Sequence, residues 1–136
     1  MNILSNNAHW ILRIALASVF IFHGIDKFLN PGMAAMMGLP VTVWLLVAAA
    51  EAGGGALLLL GGFGPDWATR LGSLALLPVM GGAISMVHWG QWSFMASETH
   101  PAGGVEFQLT LVLIAVYFLV RGNADRQPVT SVATAA

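Results

Sequence analysis

Between residues 41 and 65 of this 136-residue chain Glu51 is the one charged side chain, set in the run Ala48-Ala49-Ala50-Glu51-Ala52-Gly53-Gly54-Gly55-Ala56. A carboxylate in such surroundings must be paired, protonated or bound to a ligand, because an isolated buried charge costs several kcal/mol. Two partners are expected for it. Arg13 offers a planar guanidinium that matches a carboxylate, and His23 offers a hydrogen bond that responds to pH. Such a pair serves either to fix helix register or to handle a ligand and its proton, and the residues alone leave both open. His23, Lys27, His88, Glu98, His100 and Glu106 come to similar depth if successive helices alternate in direction, so they could line one polar pocket, with Lys27 and Glu106 paired across the first and last helices. The head group of a quinone or similar lipophilic carrier needs such a cluster, with a group at its carbonyl oxygen and another to move a proton. The plainer alternative makes these residues interface anchors beside Trp89 and Trp92. A haem between His23 and His88 lacks any further pocket signature, and a zinc site from His88 and His100 lacks a short ligand spacing, so no metal is expected. No nucleophile elbow, Walker loop or dinucleotide fingerprint is present. The sequence assigns no catalytic residue.

These side chains must be positioned by hydrophobic helices. The chain is 57% hydrophobic and only 8% charged, against about 25% charged in soluble domains. Residues 71–97 contain no Asp, Glu, Lys or Arg, and stretches that long and apolar read as membrane spans. The expected fold is an all-α integral membrane four-helix bundle, a single domain over 1–136. Its spans are expected at about 8–28, 41–60, 68–89 and 105–120, with a flexible tail over 122–136. The N-terminal run is taken as a span rather than a leader because it lacks a basic start and carries Arg13 within it. Asn30-Pro31-Gly32 should break the first helix, and 61–66 should form a tight turn. Pro78 with Gly81-Gly82 should bend the third span. At about 100° per residue, Arg13, His23, Gly24 and Lys27 share one face of the first helix. That face should pack on the second helix through Gly24 and Gly53 or Gly54, since small residues let helices approach closely in lipid.

Net charge is −1 and there is no basic run, which excludes a nucleic-acid partner. With no cysteine there can be no disulfide, thiolate-ligated cluster or thiol relay. No cofactor is therefore expected in the chain itself, and any electron carrier must be a bound quinone or belong to a partner. Arg70, Arg121 and Arg126 lie on the side of the termini, with Arg13 close to it, against Lys27 on the other, so both termini are expected in the cytoplasm.

The order Arg13, then Phe22-His23-Gly24-Ile25-Asp26-Lys27-Phe28, then Gly38-Leu39-Pro40, then Glu51 with Gly54, then 57–62 resembles the DoxX family of small four-helix bacterial membrane proteins. The resemblance runs over about 13–122. Asn123-Ala124-Asp125 stands where the family usually ends in serine-leucine-aspartate. It implies an inner-membrane location and a link to redox processes, since some relatives are described as a quinone-reducing thiosulfate oxidoreductase subunit and others as membrane partners of antioxidant enzymes. The family-like set is Arg13, Gly24, Lys27, Glu51 and Gly54. Expected partners are the lipid bilayer, redox or antioxidant proteins and further copies of the chain. Two functions follow: a redox-linked subunit that binds a quinone near Glu51, His23 and Lys27, or a non-catalytic scaffold that docks proteins through its outer loops. A small transporter ranks below both, because four spans leave little room for alternating access.

Overall fold

The computed structural model describes residues 7–124. Its elements are α1 (His9–Leu29), a one-turn α2 (Met33–Met36), α3 (Val41–Phe63), α4 (Asp66–Ala83), a π-helix that continues α4 (Ile84–His88), and α5 (Glu106–Arg121). No strand occurs among the described residues. The first helix stops at the predicted breaker, where the Asn30 side-chain amide folds back and donates to the Asp26 carbonyl at 3.0 Å.

Three local expectations change. The helix read as ending near residue 60 runs on to Phe63. Gly61 and Gly62 are buried packing positions, one against Thr69 and the other against the Trp10 ring, so the turn shrinks to Gly64-Pro65. The irregularity expected around Pro78 takes the form of the π-helix that follows the Gly81-Gly82 pair. Glycine's weak helix propensity makes this an easy place to admit one extra residue per turn. The tail does not begin at 122: Gly122 ends α5 with φ 58°, a left-handed position suited to glycine, and Asn123 is tied into the body of the protein. Residues 125–136 of the expected tail lie outside the described residues.

The helices run antiparallel in sequence order. Lys27 at the end of α1 lies beside Trp44 at the start of α3, and Arg13 near the start of α1 reaches Leu58 toward the end of α3. Gly24 seats α1 on α3: a Cβ there would stand 2.5 Å from the Ala52 nitrogen and 2.8 Å from the Ala48 oxygen. The glycines of α3 divide differently from the expectation. Gly53 faces open space. Gly54 packs on α4, where a Cβ would meet the Leu76 side chain at 2.7 Å, and Gly55 is the one that receives α1, at Ile21. Successive helix residues point about 100° apart, so one run of glycines serves two neighbours. The core is Leu16, Phe20, Leu58, Leu76, Met80, Leu111, Ala115 and Phe118. In the ring α1–α3–α4–α5, the first three interfaces are extensive, whereas α5 leans on α4 and barely touches α1.

Val41–Phe63 and Asp66–His88 are each long and apolar enough to cross a membrane. The outer surface carries large exposed apolar side chains along every long helix, among them Ile11, Leu46, Leu60, Leu74 and Leu113. Apolar exposure on that scale is a surface for lipid rather than for water.

Candidate functional site

The buried polar residues form two clusters toward opposite ends of the bundle. At the end shared by the start of α1 and the end of α5, Arg13 is wholly buried. Its Nη1 donates to the Leu58 carbonyl at 2.7 Å and to Thr69 Oγ1 at 2.9 Å, Nε to His9 Nδ1 at 3.1 Å, and Nη2 to Asn123 Oδ1 at 2.7 Å. Its guanidinium lies 4.6 Å from the centroid of the Phe118 ring. Asn123 also accepts from Thr69 Oγ1 and donates to the Gly61 and Gly64 carbonyls, while its backbone N–H donates to Asp66. One guanidinium thus ties together α1, α3, α4 and Asn123, the second residue past α5. This is a clamp made of hydrogen bonds.

The second cluster centres on Glu51. Its partner is Lys27, and neither Arg13 nor His23: Lys27 Nζ donates to both carboxylate oxygens, at 3.0 and 2.8 Å. The reason is axial register. Gly24 docks at Ala48 and Ala52, which sets Lys27, one turn on, beside Glu51. Arg13 is eleven residues before Gly24, roughly 16 Å down the axis, and meets Leu58 instead. His23 is exposed. Trp44 supports the lysine twice, with its indole N–H donating to the Lys27 carbonyl at 3.0 Å and its ring 5.3 Å from Nζ. The pair is nearly dry, with side-chain exposures of 17% for Lys27 and 7% for Glu51.

Glu106 does not pair with Lys27 either; its carboxylate accepts from the Phe94 backbone N–H at 3.1 Å and anchors the loop before α5. In that loop Glu98 is exposed, and His100 is bound to the Trp89 carbonyl and Thr99, away from the cluster. His88 is buried and joins the site because the π-helix turns through a smaller angle per residue than an α-helix, which brings its side chain round to the buried face. Its Nδ1–H donates to the Gly103 carbonyl at 2.9 Å, so Nε2 accepts from the Gln108 amide, also at 2.9 Å. With both ring nitrogens engaged, His88 has none left for a haem iron or zinc, and no group of three metal-binding side chains occurs among the described residues. Gln108 Oε1 is buried and has no hydrogen-bond partner among them.

Two cavities flank the ion pair. One, of about 230 Å³, is bounded chiefly by apolar side chains such as Leu39, Trp44, Val47 and Met86. The other, of about 380 Å³, lies between α1 and α5 and is lined by Phe20, His23, Phe107, Gln108, His88 and Leu111, among others. Lys27, Glu51, Val79 and Ala83 belong to both walls, so the charged pair stands between two chambers. The arrangement presents a donor and an acceptor side by side at the edge of an apolar space. Of the residues singled out from sequence, it gathers His23, Lys27, Glu51 and His88, and leaves out Arg13 and Glu106. Sequence reasoning missed Trp44, Gln108, Thr69 and Asn123. Of these, only Gln108, a lone amide in an apolar helix, carried a local signal.

No curated protein and no solved structure matches the chain. The DoxX family model matches residues 8–89, the part that contains α1, α3, α4, the π-helix and the Lys27–Glu51 pair, while Gln108 and Asn123 lie beyond it. That match covers more than half of the sequence, and the protein is a membrane protein of the DoxX family.

Proposed function

We propose that the chain is a four-span bundle of the bacterial inner membrane, with both termini cytoplasmic, that binds the polar head of a quinone-class carrier at Lys27 and Glu51 as a subunit of a redox-linked membrane complex. The observation that carries this reading is the nearly dry ion pair standing between two cavities. A buried pair that only held helices together would gain from apolar packing on every side, because replacing such pairs by well-packed hydrophobic residues is often neutral or stabilising. Here the pair faces open space on both sides. Lys27 can donate to a carbonyl oxygen and Glu51 can accept from a hydroxyl, while the apolar walls take a ring. Gln108 Oε1, short of a partner, adds an acceptor on the same wall. The chain has no cysteine, so in this reading electrons travel on the bound carrier and reach it from a partner protein.

The test is to purify the protein from its native membrane in mild detergent, extract it, and identify bound lipophilic molecules by mass spectrometry. A quinone-class molecule should be retained in near-stoichiometric amount and lost in Lys27→Met. Recovery of bulk lipid alone from both proteins would sink the proposal.

A second reading is favoured by the loop before α5. It is braced internally by Gln91, Ser97 and His100, yet it leaves Trp92, Phe94 and Met95 exposed. A folded loop with apolar tips fits a scaffold that docks a protein at the outer surface. Substituting those three side chains by serine should abolish co-purification of a partner in that case, and leave the retained small molecule untouched.

A further inference from the structure

We infer that the cleft between α1 and α5 is a lateral doorway, through which an amphipathic ligand enters from the bilayer and in which its apolar tail stays while its head lies against Lys27 and Glu51. The inference rests on the head-group site proposed above and adds the route and the division of the ligand into two parts.

Three observations carry it. First, the bundle is a ring with one weak joint. The α1–α3, α3–α4 and α4–α5 interfaces are extensive, and α5 scarcely meets α1. The contacts that do join them include Arg13 over the Phe118 ring and Arg13 to Asn123. They sit at the end of the termini, so the two helices are clasped there and left apart toward Lys27. Second, the larger cavity occupies this gap. Val19, Phe20 and His23 of α1 form one jamb, Phe107, Gln108 and Leu111 of α5 the other, and Val79 and Met80 of α4 the back wall. Third, the lining is graded. The jambs carry exposed Phe107, exposed His23 and half-buried Val19, whereas Glu51 and His88 at the inner end are buried and hold the half-buried Lys27 and Gln108 against them. In a bilayer an opening between two helices faces acyl chains rather than water. A molecule with a polar head and an alkyl tail therefore gains by placing its head at the ion pair and leaving its tail among the chains, whereas a water-soluble ligand finds no aqueous path by this route.

The absence of cysteine from the chain permits a direct test. Val19→Cys and Phe107→Cys are introduced together, the protein is placed in nanodiscs, and the two thiols are bridged by a short bis-methanethiosulfonate reagent that reductant removes. Binding of decylubiquinone and of the tail-less ubiquinone head group is measured before bridging, after it, and after reductive release. Bridging should weaken decylubiquinone by at least about tenfold, a loss on the scale of excluding two or more methylenes from an apolar site. It should change the head group by less than about twofold, and reduction should restore the original values. Recovery on reduction shows that the variant is folded throughout. Equal binding of the tailed probe with and without the bridge overturns the doorway while leaving the head-group site standing. Loss of both probes on bridging overturns the division into head and tail. If the open protein binds neither probe, the proposed function fails and the doorway with it. If the reagent links pairs of chains carrying Phe107→Cys alone, the cleft is filled by a second copy and the inference is wrong.

Discussion

Replacing Lys27 by methionine keeps most of the side chain's apolar stem but removes the ammonium beside the Trp44 ring and leaves the Glu51 carboxylate without its cation between the two cavities. Removing one partner of a buried pair costs about 3–5 kcal/mol. Lys27 retains 17% side-chain exposure, so the lower end applies, about 3 kcal/mol, or roughly a 150-fold shift in the unfolding equilibrium. Glu51→Gln should cost less, since the amide oxygen can still accept from Lys27. In the double variant Lys27→Met with Glu51→Leu, no charge is stranded, and stability should return to within about 1 kcal/mol of the parent. Measured against Lys27→Met and Glu51→Leu singly, the coupling between the two positions should therefore be at least about 2 kcal/mol. Reversible unfolding in mixed detergent micelles, followed by tryptophan fluorescence, measures the parent, the singles and the double variant. If the two single losses simply add in the double variant, Lys27 and Glu51 do not interact in the folded state and the account of the site collapses. A double variant that is stable yet no longer retains the carrier would separate the structural part of the pair from its binding role.

Asn123→Ala should destabilise the fold by about 2–4 kcal/mol, because it removes hydrogen bonds to Arg13, Thr69, Gly61 and Gly64 at once; the same detergent titration reads it, and a change within about 0.5 kcal/mol would show that the clamp is idle. Gly24→Ala should be harmful, by about 1–3 kcal/mol, since a Cβ there must push into the Ala48–Ala52 backbone. Gly53→Ala, whose added Cβ would meet nothing within 4 Å, should be neutral or stabilising by about 0.5–1 kcal/mol. Equal effects at the two glycines would contradict the packing described. Reporter fusions after Asn123 and within residues 91–104 should mark opposite sides of the membrane, cytoplasmic and external, and a periplasmic C-terminus would invert the proposed topology.

The sequence exposed the elements better than the contacts between them, and the reasons are physical. Apolar runs and the breakers at Asn30-Pro31-Gly32 and Gly64-Pro65 are local signals, so the helices were legible from composition and turn chemistry. The need of Glu51 for a partner was legible too, as a charge in an apolar run. Its identity was not, because Arg13, His23 and Lys27 share one helical face, and a face does not say which of three residues lies at the right height. Height is set by where Gly24 meets Ala48 and Ala52, a property of two helices together. The glycine run of α3 likewise announced close packing without saying that Gly54 turns to α4 and Gly55 to α1. Asn123 resembled the start of a polar tail because its role depends on the ends of four helices meeting around Arg13. Gln108 is an uncharged amide, whose burial in an apolar helix costs far less than a charge and so signals a site only weakly, and its unmet acceptor is visible only in the fold.

The most direct test of the head-group site is photolabelling with an azido-quinone in native membrane vesicles, followed by peptide mapping with and without excess unlabelled quinone. The account predicts adducts on residues that line the larger cavity, in the segments 19–27, 79–88 and 102–111, that disappear under competition and in Lys27→Met. Labels confined to outward-facing side chains such as Leu46, Leu60 and Leu113, and indifferent to competitor, would contradict it.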